Sequence, residues 1–252
     1  MTQTNTSSLD QKAERLPPRE VMRDSGILVV DKPAGMTSMD VIRNLRRVVY
    51  AKRIGHGGTL DPFATGVLPI MFNDATKLSA KVMDGMKDYE GTLYLGLSFD
   101  TQDMTGKPIQ DEMPVSLDLN LKDLQNLAAT FQGEIFQEPP QYSAVKKAGR
   151  PLYDYARAGE RVEVDRRRVF VEKFEIAQRL DLRRFSFRVR SAKGVYVRTL
   201  VHDLGQKLGI GAVVESLRRT QAGPFSIESA VQLSTLQYPS DIRLHLKAIS
   251  AL

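Results

Sequence analysis

The sequence predicts an α+β fold, and three observations carry that expectation. Segments with the two-residue period of strands and segments with the 3.6-residue period of helices both occur, but they do not alternate as regular βαβ units. No internal repeat or low-complexity tract interrupts them. The chain of 252 residues is 42% hydrophobic, enough to bury a substantial core in one large domain or two small ones.

The elements follow in order. Residues 1–24 are polar, with a Pro17-Pro18 pair, and are expected to form a flexible tail; they lack the apolar block of a secretory signal. "GILVVDKP", Gly26 to Pro33, is a short buried-strand pattern stopped by proline. In "TSMDVIRNLRRVVYA", Thr37 or Ser38 caps a helix with Val41, Leu45, Val48 and Val49 on one face and Arg43, Arg46 and Arg47 on the other. "YEGTLYLGL", Tyr89 to Leu97, alternates Leu93, Leu95 and Leu97 as a strand with one buried face. "LKDLQNLAATF" repeats Leu121, Leu124, Leu127, Ala128 and Phe131 on one helical face.

"QEPPQYSAVKKAGRPLYDYARAGE" has no clear period. It interleaves Tyr142, Tyr153 and Tyr155 with Lys146, Lys147, Arg150 and Arg157, which suits either a loop that folds on nucleic acid or a plain surface excursion. "VFVEKFEIA" and "RFSFRVR" are strands; in the second, Phe185, Phe187 and Val189 alternate with Arg184, Ser186, Arg188 and Arg190. "GVYVRTLVHDLGQKLG" begins as a strand and turns helical from about Thr199, with Gly209 placed to end the helix.

Charge and composition narrow the function classes. The net charge is +6, and it is localised: Arg161 to Arg190 holds ten Lys/Arg against five Asp/Glu. Solvated strand faces and a polyanion footprint explain this equally well. The chain has no cysteine, which removes disulfides, thiolate metal sites and thiol nucleophiles and fits a reducing cytoplasm. No window approaches eighteen uninterrupted apolar residues, so no membrane helix is expected. His56, His202 and His245 are too scattered to suggest a metal site.

"GHGGTLDPFATGVLP", Gly55 to Pro69, is the densest cluster of special residues. Asp61-Pro62 is first a helix-start signature, an aspartate cap with proline at the first helical position. A phosphate loop is a weaker reading, because G-x-x-x-x-G-K-[ST] is missing here and "TGKP" at Thr105 to Pro108 has the wrong spacing. The glycines allow another surface to approach closely.

Six ordered blocks resolve the ambiguity: "DKPAGMTSMDVI", "GHGGTLDPFATGVLPI", "DATKL", "KDYEGTLYLG", "PPQYSAVKKAGRPLYDYAR" and "KGVYVRTLVHDLG". Together they resemble the tRNA pseudouridine synthase B (TruB) family over roughly four-fifths of the chain, from about Gly26 to Pro224. The resemblance implies a mixed, largely antiparallel central sheet flanked by helices and loops. It also implies an isomerase that flips a tRNA T-loop uridine, position 55 by resemblance, out of its stack and converts it to pseudouridine. No cofactor, metal or obligate protein partner is expected, and the partner is the tRNA T-arm.

By the same resemblance Asp61 is the catalytic aspartate, Tyr89 packs on the target uracil, and Arg198 pairs with Asp61. Leu200, Tyr196 and Lys77 join the substrate site, and His56 fills the space left in the RNA loop. Lys32 and Pro33 buttress the catalytic loop. Lys146, Lys147, Arg150, Arg166, Arg167 and Arg168 are candidates for the RNA backbone. The expected organisation is a tail to residue 24, a catalytic domain over 25–225 with a mobile RNA-closing segment around 137–165, and a short segment over 226–252. That last segment holds too few residues for the family's C-terminal RNA-binding domain of the PUA type.

These residue types also make chemical sense on their own terms. The reaction breaks N1–C1′, turns the uracil and joins C5 to C1′, with no redox step or group donor. A carboxylate serves it as nucleophile or base. Charge in a dry pocket is costly unless paired, and a guanidinium stays protonated at any relevant pH. The apolar neighbours of Arg198 in "YVRTL" mark it as an inward-aimed charge in need of a partner.

Overall fold

The computed structural model describes residues 20–249. The proposed tail over 1–24 lies mostly outside them. Residues 20–24 are docked: Glu20–Val21 pairs in parallel with Val49–Tyr50, Met22 is buried, and Glu20 and Asp24 both receive Arg243.

Seven strands make the body of one mixed sheet: β1 (Gly26–Lys32), β2 (Thr65–Phe72), β3 (Lys87–Leu95), β4 (Gly133–Gln137), β5 (Arg167–Arg179), β6 (Arg184–Ser191) and β7 (Ala212–Ala222). Their spatial order is β1-β2-β7-β3-β6-β5-β4, with short strands added at the β1 end and beside β2 and β7. Among the described strands of this sheet, only the β2–β7 pair and the short Val231–Gln232 strand beside β1 are parallel. The α+β class and the largely antiparallel sheet are therefore as expected.

Among the described residues six α-helices flank the sheet: α1 (Ser38–Val48), α2 (Ser79–Asp84), α3 (Leu121–Ala129), α4 (Leu152–Arg157), α5 (Val197–Leu208) and α6 (Pro239–His245). β1 is buried on both sides, with Leu28 and Val30 facing α1 while Ile27 and Val29 face Val82 and Phe225. That accounts for its unbroken apolar run. The largest core lies under β3, β5, β6 and β7, closed by Leu124 and Ala128 of α3 and by Leu200, Val201 and Leu204 of α5.

Several boundaries differ from the sequence reading. Thr37 caps α1 through a full capping box with Asp40, but the helix stops at Val48, and Val49 enters the pairing with Glu20–Val21. β3 ends at Leu95, because Gly96 takes φ +92° and sends the half-buried Leu97 into a loop. α5 starts at Val197, two residues early, and Gly209 ends it at φ +75° as expected. The segment over 137–165 holds a two-strand hairpin, Lys146–Lys147 with Arg150–Pro151, followed by α4. Residues 226–249 are woven into the sheet, with Val231–Gln232 and Lys247–Ala248 both paired to β1. No helix among the described residues is long and apolar enough to cross a membrane.

Candidate functional site

The Asp61 loop joins the short strand Ile54–His56 to β2. No helix starts at Asp61-Pro62. Ala64 N–H donates to the Asp61 carbonyl at 3.1 Å, closing a turn, and β2 begins at the next residue, which leaves no room for a helical turn. The Asp61 carboxylate is accordingly free of capping duty. It accepts Arg198 Nε at 2.8 Å and Nη2 at 3.0 Å, a two-pronged pair with defined geometry.

The loop itself is held from three sides through its own backbone. Ser38 at the start of α1 exchanges hydrogen bonds with the amide and carbonyl of Leu60. Lys32 at the end of β1, with no exposed surface, donates to the carbonyls of Pro33, Met36 and Pro62. Arg219 on β7 donates to those of Val67, Thr59 and Gly58. Burial brings the Lys32 ammonium down to about 8; the Asp61 carboxylate pulls it back up, and Arg219 pushes it further down.

Arg198 sits at the second position of α5 and is 3% exposed, whereas Asp61 is 30% exposed. Its remaining donors go to the carbonyls of Thr101 at 2.6 Å and Tyr142 at 3.0 Å. A second carboxylate, buried Asp103, lies 3.6 Å from Nη1. Asp103 is itself fixed by Thr101 Oγ1 and by the amide and hydroxyl of Thr105. The guanidinium is thus satisfied on every edge and cannot turn away from Asp61 without breaking several bonds at once.

The apolar wall of the site is one cluster. Leu60, Ala64 and Leu200 are buried in it, and half-buried Tyr89 and Phe63 pack against it. Tyr196, just before α5, is held by both ends of the Gln137 amide, which accepts from its backbone N–H at 2.7 Å and donates to its carbonyl at 3.0 Å. Burial raises the Tyr196 phenol, and the charge of Asp61 raises it further, which puts the two groups in one electrostatic neighbourhood. His56 ends its strand opposite Ile70, and burial followed by the Arg219 charge holds it below the usual histidine value.

Other predicted residues lie elsewhere. Lys77 is exposed and salt-bridged to Asp74 at 2.8 Å; the structure gives it no contact with the Asp61–Arg198 pair. Pro33 contributes its carbonyl to Lys32. Lys146 stands on the hairpin and Lys147 donates to the Glu163 carbonyl. Arg150 stacks 4.2 Å from the Tyr155 ring centroid.

Of the arginine triplet, Arg166 lines a cleft of about 760 Å³ with His202 and Asp203 on the polar face of α5. Burial raises Asp203 to about 6 there. Arg167 and Arg168 line a separate cleft of about 620 Å³ with Lys81, Lys193 and Tyr196. Neither cleft includes Asp61. The basic stripe on β6 is largely spent within the protein: Arg184 pairs with Glu215 and Asp181, and Arg190 with Asp88 and Glu172. For these residues the reading as a strand face prevails over a polyanion footprint.

Sequence reasoning missed Asp103, Thr101 and the role of Arg219. The phosphate-loop reading reached only "TGKP", Thr105 to Pro108, and Thr101, Asp103 and Arg219 lie in none of the six blocks.

Comparison with known proteins identifies the family. Residues 46–197 match the model of the TruB family pseudouridylate synthase N-terminal domain, and residues 198–242 match that of the tRNA pseudouridylate synthase B C-terminal domain. The chain is 45% identical over 228 residues to tRNA pseudouridine synthase B of Stutzerimonas stutzeri (strain A1501), covering 90% of this chain and 72% of that protein. It is 44% identical over 216 residues to the enzyme of the same name from Streptococcus thermophilus (strain CNRZ 1066), covering 84% and 73%. A solved Cbf5-Nop10-Gar1 complex contains a chain with 30% identity and a TM-score of 0.65, covering 84% of this chain and 53% of that one. An H/ACA RNP bound to a substrate RNA containing 2′-deoxyuridine gives 27% identity and a TM-score of 0.62, covering 84% and 52%. This chain therefore spans about half the length of those solved chains.

The family match and the named relatives place the chain in the pseudouridine synthase class, isomerases that convert uridine to pseudouridine. Within that class the chain belongs to the TruB family.

Proposed function

We propose that the chain converts uridine 55 in the T-loop of tRNA to pseudouridine, with Asp61 as the reacting carboxylate. The observation that carries this reading is the two-pronged Arg198–Asp61 pair beside the cluster on which Tyr89 packs. The base leaves its stack and enters against Tyr89, whose ring offers stacking of about 1–3 kcal/mol toward a flipping cost of a few kcal/mol. Tyr196 lies on the Asp61 side, and His56, held neutral by burial, takes the space vacated in the RNA loop.

Asp61 then acts on the sugar or the base. The N1–C1′ bond breaks, the uracil turns, C5 joins C1′, and the proton lost from C5 is balanced by one gained at N1. Arg198 keeps the carboxylate charged and aimed throughout. The segment over 137–165 closes on the T-arm, and the hairpin cations and Arg167 meet its phosphates.

Incubation with an unmodified tRNA transcript, followed by mapping of pseudouridine, tests this reading. Product confined to the T-loop uridine is expected, and an isolated T-arm hairpin is expected to be a substrate as well. No product, or product at scattered uridines, would overturn it.

A further inference from the structure

Arg219 is 1% exposed and makes no salt bridge with any carboxylate among the described residues. A buried guanidinium without a counter-ion is costly, so its compensation must come from the groups it holds. Those groups are backbone carbonyls at the two ends of one loop. Nε reaches Val67 at 2.7 Å on the exit, while Nη1 reaches Thr59 at 3.3 Å and Nη2 reaches Gly58 at 3.4 Å on the approach. Asp61 lies between them.

The backbone of Arg219 is also spoken for. It pairs with Gly66 of β2 on one side and with Tyr89 of β3 on the other. Gly66 has φ +103°, and a Cβ there would fall 2.2 Å from the Arg219 carbonyl oxygen, so strand and loop are closely fitted. One residue thus ties both ends of the Asp61 loop to the strand position of Tyr89.

We propose that Arg219 is a positioning residue that fixes the separation between the Asp61 carboxylate and the Tyr89 ring by stapling the loop from Gly58 to Val67. The inference rests on the assignment of Asp61 as the reacting group. Lys32, in contrast, grips only one stretch of this loop, at Pro62, whose carbonyl also accepts from Gly35 N–H at 2.8 Å. The titratable groups facing Arg219 are Lys32 from β1, Lys87 from β3 and His56 from its own strand, each shifted down in part by the guanidinium.

The test compares wild type, R219K, R219Q and D61N on unmodified tRNA under single-turnover conditions, at a temperature where thermal melts show each variant fully folded. R219Q is expected to lose at least about tenfold in rate with tRNA affinity within about threefold. R219K, which keeps the charge but not the three-point geometry, should fall between R219Q and wild type. Hydrogen exchange should rise in peptides covering residues 57–66 and stay unchanged in α3. Wild-type rates in either variant, or a rate loss matched by lost affinity with unchanged exchange in the loop, would overturn the proposal. If R219Q does not fold, R219K alone decides by the same criteria. Product formation by D61N would instead overturn the assignment of Asp61 on which the inference rests.

Discussion

Replacing Lys32 by methionine keeps the aliphatic stem and removes a fully buried ammonium. Three carbonyls lose a donor: that of Pro62 retains Gly35 N–H, while those of Pro33 and Met36 lose theirs outright. Pro33 is exposed and Met36 half-buried, so the two abandoned acceptors cost at the low end of the range for orphaned groups, roughly 2–3 kcal/mol together. Against this stands relief of the buried charge. Lys32 titrates at about 8 rather than 10.5, which at ~1.4 kcal/mol per unit bounds the relief near pH 7 at about 3 kcal/mol.

The two terms nearly cancel, so K32M is expected within about 1 kcal/mol of wild-type stability at pH 7, with the single-turnover rate of the folded enzyme within about tenfold of wild type. The pH dependence has a definite sign. Between about 8 and 10.5 the unfolded chain still holds the Lys32 proton and the folded chain has released it, so wild-type stability gains with rising pH in that window. K32M lacks this gain, and Lys87, also lowered to about 8, contributes equally to both proteins. Urea melts of the pair at pH 7 and pH 10 check it: the difference should move in favour of wild type at the higher pH. A difference that stays constant with pH, or moves in favour of the mutant, would refute the reasoning.

Other outcomes follow from the same geometry. Arg198→Lys keeps the charge but loses the two-pronged grip on Asp61, so the single-turnover rate should fall on the order of 10²–10³-fold with tRNA affinity little changed. Neutralising Arg166, Arg167 and Arg168 together should reduce the salt slope of tRNA binding by about one unit rather than three. Arg168 pairs with Glu134 and Arg166 faces Asp203, which leaves Arg167 as the main phosphate contact; a salt titration decides. Asp203, raised to about 6 by burial, penalises folding increasingly from about pH 4 and fully above about 6, and is neutral in both states below about 4. Asp203→Asn should therefore stabilise by about 1 kcal/mol at pH 7, after allowance for solvent screening, and the gain should vanish in melts below pH 4.

The parts of this protein that were legible in the sequence are those fixed by local pattern or by a recurring motif. Thr37 announces α1, the alternation in "RFSFRVR" orients β6, and Gly209 stops α5, because caps, pleats and left-handed turns act over a few residues. Asp61 and Tyr89 stand out only through the agreement of six blocks, and Arg198 through that and its apolar neighbours; locally, Asp61-Pro62 has the pattern of a helix start. The structure shows why that local rule lost: β2 begins too soon after the turn.

What stayed hidden depends on strand register. Asp88 on the adjacent β3 and Glu215 on β7, one strand further, neutralise arginines of β6, so the basic stripe could not be discounted from β6 alone. Arg219 meets the Asp61 loop only through the parallel β2–β7 pairing, across about 150 residues of chain. Asp103 reaches Arg198 from a loop that contains a positive-φ residue, Gln102, and no pattern in "TQDMTG" foretells that bend. Lys77 shows the reverse: it matched a block, yet its ammonium is engaged by Asp74 three residues earlier.

The central claim, that Asp61 is the reacting carboxylate on a tRNA uridine, is tested most directly by Asp61→Asn assayed for pseudouridine on an unmodified tRNA transcript alongside a tRNA-binding measurement. The account predicts no detectable product with affinity within a few-fold of wild type. Pseudouridine formation by that variant at a rate near wild type would contradict it.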